Sequence, residues 1–203
     1  MKRILLLLVL MASTVFVTNA QETETPKPAF SYMWINPGVG ASAVVSTNIV
    51  NSGAVFTSYL EFLVQEKRRR IGIGMAHELY LTPEALAKLV FGNSSNTEKV
   101  YLTWEYMLFP NFPLNIGAHA QIGGFLVGNE IKEANKDTVN VPDYNYFGNV
   151  GLLVELGWKP VYFFVKPAIE YKSYSGLHKE ILAGATFGFK FKLSGDDKKK
   201  PKK

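Results

Sequence analysis

Cysteine is absent from the chain, which excludes a disulfide framework, a thiolate metal site and a lipid anchor attached at a Cys behind an export signal. Histidine is scarce, three in 203 residues, and no pair stands at metal-ligand spacing, so no metal and no cofactor is expected. Long apolar runs are scarce as well. The conspicuous one, Ile4 to Leu10, falls short of the ~20 residues that a membrane-spanning helix needs, and Ser13 and Thr14 interrupt its continuation. An excess of charge is missing too, although the formal net charge is +5. Lys2 and Arg3 lie at one end, and the tail Asp196 to Lys203 holds five Lys against two Asp. These two segments account for the whole excess. The body between them is neutral, which argues against a nucleic-acid-binding surface.

The ends have readings of their own. Lys2 and Arg3, the run Ile4 to Leu10 and the small-residue exit Thr18-Asn19-Ala20 before Gln21 read as a secretory signal over residues 1–20. Residues 21–34 form a periplasmic N-terminal lead, and residues 194–203 a basic, solvated tail.

What the body does have is alternation. From Glu180 to Leu193, Ile181, Ala183, Ala185, Phe187, Phe189, Phe191 and Leu193 share one parity, while Glu180, Gly184, Thr186, Gly188, Lys190 and Lys192 share the other. A period of two with one apolar side is a strand. Seven more segments repeat it: Ile35 to Ser46, Val55 to Gln65, Arg70 to Leu81, Lys99 to Phe109, Leu114 to Leu126, Tyr146 to Trp158 and Val161 to Tyr174. Each has about the 9 to 11 residues of a tilted membrane strand, or slightly more. The connections alternate in length: Glu66-Lys67-Arg68-Arg69, Pro110-Asn111-Phe112-Pro113 and Lys159-Pro160 are tight, whereas Thr82 to Glu98 and Val127 to Asn145 are long. Pro167, inside the seventh strand, fits poorly because it lacks a ladder donor.

Size decides which side faces out. Phe56, Leu60, Phe62, Ile71, Ile73, Trp104, Tyr106, Leu108, Leu152, Trp158, Phe163, Phe187 and Phe189 on the apolar face exceed what an eight-stranded interior can hold. The polar face is rich in glycine, as at Gly38, Gly40, Gly72, Gly74, Gly117 and Gly123. Bulk therefore faces lipid and glycine faces in. No Asp, Glu, Lys or Arg falls on the lipid-facing positions of these spans. The inward set holds Glu61, Glu78, Glu105, Glu155, Glu170 and Glu180 against Arg70, Lys99, Lys166, Lys172, Lys190 and Lys192, a balance that allows buried charges to pair.

The expected fold is all-β: an eight-stranded antiparallel up-and-down transmembrane β-barrel over residues 35–193, with short periplasmic turns and longer outer loops. The terminal pattern Thr186, Gly188, Phe191 and Leu193 resembles the C-terminal recognition signal of Gram-negative outer-membrane barrels. With the topology, it makes the chain similar to the small eight-stranded outer-membrane proteins of the OmpA-domain and OmpX kind. That resemblance implies residence in the outer membrane with both mature ends in the periplasm. It also implies partners in outer-membrane lipid and in the barrel-assembly machinery.

Chemistry-bearing candidates are few. The lumen network of Glu61, Arg70, Glu78, Lys99, Glu105, Glu155, Lys166, Glu170, Lys172 and Lys190 reads as a polar plug that fills the barrel, because eight strands leave little more than side-chain room. His119 and Gln121 face inward, and His119 is expected to hydrogen-bond a lumen carboxylate. His77 falls on the outward parity. If Gln65 pairs with Arg70 across the tight turn, Ser58 lies opposite His77. This pair resembles the site of lipid-A deacylases, which opens to the bilayer, but the His-x-Ser arrangement of that family is missing and no outward carboxylate is available to orient the His. An interfacial Ser and His exchanging a hydrogen bond is the simpler expectation, and the chain is read as a non-enzymatic barrel with a structural, assembly or loop-mediated binding role. The alternatives are an outer-membrane lipid-modifying enzyme acting through Ser58 and His77, and a soluble periplasmic ligand-binding barrel. Thr82, Pro83, Glu84 and Gly92 are spaced to cap a short helix with Leu86, Leu89 and Val90 on one face. An extracellular partner is therefore expected, if anywhere, at the loops Thr82 to Glu98 and Val127 to Asn145.

Overall fold

A computed structural model describes residues 32–47, 53–81, 95–110, 112–127, 145–174 and 178–194. The signal segment, most of the lead, the tail, the capped-helix reading and most of the two long connections lie outside these residues. Eight strands follow one another: β1 Tyr32–Thr47, β2 Ala54–Glu66, β3 Arg69–Leu81, β4 Ser95–Met107, β5 Leu114–Val127, β6 Asn145–Trp158, β7 Val161–Tyr174 and β8 His178–Ser194. Every neighbour pair is antiparallel, and β8 returns to β1 to close the barrel. Closure leaves no unpaired sheet edge, which is the condition for crossing a bilayer with strands.

Several strand boundaries differ from the sequence reading, most by one or two residues. β1 begins at Tyr32 rather than Ile35, and β8 runs to Ser194. β4 spans Ser95–Met107 rather than starting at Lys99 and ending at Phe109. Register explains the last shift, since β3 continues to Leu81 and its pairing partner must extend with it: Glu78 opposes Thr97 and Tyr80 opposes Ser95. The pairing of Gln65 with Arg70 is present, and with it Ser58 opposite His77.

Proline leaves a visible mark on the ladder. β6 pairs β7 at Gly151↔Ala168 and again, in the same register, at Val154↔Val165, with the partners around Pro167 skipped. β1 skips Asn36 and Pro37 against β8 in the same way. A missing N–H removes a rung without shifting the register, so both prolines are accommodated inside strands.

The exterior is a continuous apolar wall. Ile73, Leu102, Ile122, Val150, Leu152 and Ile169 are all exposed along its middle. Trp104, Phe109, Phe112, Trp158, Phe163, Phe189 and Phe191 are exposed toward the end that carries the tight turns. Apolar surface on this scale is stable only against hydrocarbon, and the aromatic collar matches the interfacial girdle of membrane barrels. The inward parity is less uniformly polar than the alternation implied. Trp34, Tyr59, Leu63, Tyr101, Met107, Phe125, Phe147, Leu153, Tyr162, Phe164, Tyr174 and Leu182 are buried inside among the charges. Glycines make the room: a Cβ on Gly38 would lie 2.4 Å from the Tyr59 ring, and one on Gly74 would lie 2.4 Å from the Tyr101 ring.

Candidate functional site

Two charge clusters occupy the interior, and each is internally neutral. The first lies toward the tight turns and gathers side chains from six strands. Glu105 on β4 receives Arg70 of β3 at 3.1 Å, Lys190 of β8 at 2.7 Å and Lys166 of β7 at 2.9 Å. Arg70 also reaches Glu155 of β6 at 2.5 Å, Lys190 pairs with Glu155 as well, and Lys166 extends to Glu61 of β2 at 2.8 Å. Three acids thus share three bases, and all six side chains are almost wholly buried. The second cluster lies toward the long connections. Lys99 pairs with Glu78 and, at 2.5 Å, with Glu170, while Lys172 lies 2.6 Å from Glu78 and 3.5 Å from Glu170. Two acids and two bases close a ring in which each charge touches both opposite charges.

Hydrogen bonds and rings complete both clusters. Gln65 accepts from the Arg70 Nε at 3.1 Å and from the Trp34 indole at 2.9 Å, and the Arg70 guanidinium lies 4.9 Å from the Trp34 ring centre. Asn115 donates to Glu155 at 2.9 Å, and Asn36 and Gln121 donate to Glu61 at 3.0 and 2.8 Å. In the second cluster Thr97 donates to Glu78 at 2.8 Å, and Lys99 sits 4.3 Å over the Phe147 ring. Beyond it Tyr80 and Tyr174 donate to Glu180 at 2.9 and 3.0 Å. Lys192 is half-buried, with its ammonium 4.5 Å from the Tyr32 ring centre.

Of the sequence-derived network, Glu61, Arg70, Glu78, Lys99, Glu105, Glu155, Lys166, Glu170, Lys172 and Lys190 therefore all meet in the interior, split into two separate groups. His119 departs from expectation. It is buried, but neither of its ring nitrogens has a hydrogen-bonding partner among the described residues. It lines a cavity of about 40 Å³ between the two clusters, shared with Gln121, Asn149, Tyr59 and Tyr101. A polar space of that size admits a few water molecules, which are the partners a buried imidazole would take there. No group of three or more His, Asp or Glu side chains suited to a metal exists among the described residues.

On the outside, the longer β4 corrects one point of the sequence reading. Glu98 belongs to the strand and shares the outward parity, directly opposite His77. Its Oε1 lies 2.6 Å from His77 Nδ1. The row Ser58, His77, Glu98 thus runs across β2, β3 and β4, and a carboxylate orients the His. Sequence alone hides this, because the long connection that the alternation suggests reaches as far as Glu98. The C-terminal pattern sits on the closing strand. Thr186 accepts a hydrogen bond from Tyr59 at 3.5 Å, Gly188 lies against the Pro37 backbone, and Phe191 and Leu193 are exposed to the outside.

No protein-family model and no curated protein matches the sequence. Solved structures do match in shape, and those found are small eight-stranded outer-membrane barrels. Neisserial surface protein A is similar at 11% identity and a TM-score of 0.53, over 79% of this chain and 97% of that one. The N-terminal barrel domain of Pseudomonas aeruginosa OprF is 10% identical over 78% of this chain and 97% of its own, with a TM-score of 0.48. The outer-membrane enzyme PagL is 15% identical over 76% of this chain and 98% of its own, with a TM-score of 0.47. The fold is thus that of an outer-membrane β-barrel, as the alternation and the terminal pattern implied.

Proposed function

We propose that the protein is a sealed outer-membrane barrel rather than a pore, with its working surfaces outside the lumen and a structural, assembly or loop-mediated binding role. The interior carries this reading. Two neutral ion-pair clusters with their aromatic neighbours fill the barrel, and the cavity between them measures only about 40 Å³. Opening a water column would separate buried opposite charges from one another, which is costly in a low-dielectric interior. The network acts as a plug and no catalytic role is assigned to it.

Eight strands place both barrel ends on one side of the membrane, and an export signal over residues 1–20 makes that side the periplasm. The tight turns then face the periplasm, and the long connections over residues 82–94 and 128–144 face outward, where a macromolecular partner would bind. Thr186, Gly188, Phe191 and Leu193 on the closing strand serve as the signal read by the assembly machinery.

Planar-bilayer recording of the purified protein tests the plug. At most small, infrequent conductance steps are expected. A large, stable, porin-like conductance from the unmodified chain would make transport the function instead.

A further inference from the structure

The row Ser58, His77, Glu98 interrupts a predominantly apolar exterior, and its position defines what it can reach. Outward residues of the β2–β3 hairpin form paired rows from the tight turn upward: Val64 with Ile71, Phe62 with Ile73, Leu60 with Met75, Ser58 with His77, and Phe56 with Leu79. At ~3.3 Å per residue and a tilt of 35 to 45°, each row climbs ~5 Å. About five rows fill the ~25 Å apolar band, so the polar row is one step inside its edge on the long-connection side. That depth is within ~5 Å of the boundary between acyl chains and head groups, where the ester carbonyls of a lipid lie.

A lone carboxylate on a lipid-facing strand is unfavourable, and the pairing found here has a specific chemical form. Glu98 approaches Nδ1 of His77 at 2.6 Å. An acid at Nδ1 fixes the ring so that Nε2 is the basic nitrogen, on the edge away from Glu98. Ser58 is His77's neighbour on the opposite strand. Its side chain is exposed on the outer wall, and contacts between nucleophile and base commonly tighten only around a bound substrate.

We infer that Ser58, His77 and Glu98 form a nucleophile, base and orienting acid for hydrolysis of a carboxylic ester in a lipid of the outer leaflet. Ser58 Oγ attacks the ester carbonyl carbon while its proton passes to His77 Nε2. The carbon–oxygen bond to the lipid alcohol then breaks, and His77 returns the proton to the departing oxygen. Water, deprotonated by His77, cleaves the acyl-serine ester and releases the fatty acid with Ser58 restored.

The test uses the full-length protein folded in vesicles, in two arms: an ester-linked phospholipid, and the same vesicles containing an acylated glucosamine lipid, each beside its ether-linked analogue. Fatty-acid release from an ester lipid in either arm is expected, and the arm identifies the source. A fluorophosphonate should label Ser58 of the folded wild type, located by peptide mass spectrometry. Ser58→Ala should reduce release to background while keeping the barrel's circular dichroism and its low conductance. Glu98→Gln keeps a side chain of the same shape but presents the wrong hydrogen-bond partner, and should lower kcat by about 10² to 10⁴ with little change in KM. Absence of both release and labelling from the folded wild type, or equal release from Ser58→Ala, would overturn the assignment. Because the row lies outside the lumen, that failure would leave the conductance test of the sealed barrel unaffected.

Discussion

Replacing Glu105 with Gln removes the acid that the structure places among three cations. Arg70, Lys190 and Lys166 approach it at 3.1, 2.7 and 2.9 Å. The remaining acids of that cluster, Glu61 and Glu155, would then face three bases, leaving one uncompensated positive charge in a space where all these groups are buried. Removing one partner of a buried pair costs about 3 to 5 kcal/mol. Gln keeps a carbonyl acceptor for one of the three donors, so the lower end, about 3 kcal/mol, is expected. Urea unfolding in lipid vesicles, followed by tryptophan fluorescence, measures it. Two companions make the measurement specific. Adding Lys190→Met restores two acids against two bases and should recover about half of the loss or more. Glu66→Gln, on the exposed end of β2, should change stability by less than about 0.5 kcal/mol. The plug argument fails if Glu105→Gln costs less than about 1 kcal/mol, or if the double variant is less stable than the single one.

Orientation predicts unequal tolerance of charge: Leu152→Arg places a cation on the exposed apolar wall at about 2 to 4 kcal/mol. Gln121→Lys instead puts one beside Glu61, 2.8 Å from the present amide, so comparable folding yields for the two variants would refute the assignment of faces. Close packing of the sheet predicts that Gly72→Ala, whose Cβ would fall 1.9 Å from the Phe62 carbonyl oxygen, folds poorly, whereas Gly148→Ala, with nothing within 4 Å, is neutral within about 0.5 kcal/mol. Refolding yield read by circular dichroism decides between them. Loosening the plug by Glu155→Ala should raise ion leak across planar bilayers above that of the wild type, and an unchanged leak would separate the network from sealing.

The strands were legible because the bilayer enforces a period of two over about ten residues at a time, and Ile181 to Leu193 shows that period almost without interruption. Register in the β2–β3 hairpin was legible for a local reason: a tight turn at Lys67 and Arg68 fixes the pairing of Gln65 with Arg70 and hence all the rows above it. The members of the lumen network were legible from charge and parity, since an inward charge on a membrane strand must find a partner. Their division into two groups was not, because it depends on which strands face each other across the barrel. Lys166 on β7 meets Glu61 on β2 and Glu105 on β4, and no local pattern encodes such a meeting. Buried Phe125, Phe147, Phe164 and Leu182 were missed for a related reason. An interior needs apolar filler between its charge clusters, so the inward parity mixes both residue types and looks like noise in the alternation.

Glu98 shows where alternation stops being informative. Near the end of a long connection the strand boundary is blurred, because β4 opens on the turn-type residues Ser95 and Asn96 and the acid reads as part of the loop; the register of β3 against β4 places it on the barrel wall. The consequence is chemical as well as topological. A Ser and a His without an acid are two neighbouring interfacial side chains, whereas a carboxylate at 2.6 Å from Nδ1 fixes the tautomer and, in the proposed reaction, would stabilise the imidazolium formed when Ser58 gives up its proton. A purely structural row would gain little from the order in which the three groups stand. In the proposed reaction nucleophile, base and acid stand on three successive strands in the order that proton transfer requires, and the bilayer they face is the medium from which a substrate would reach them.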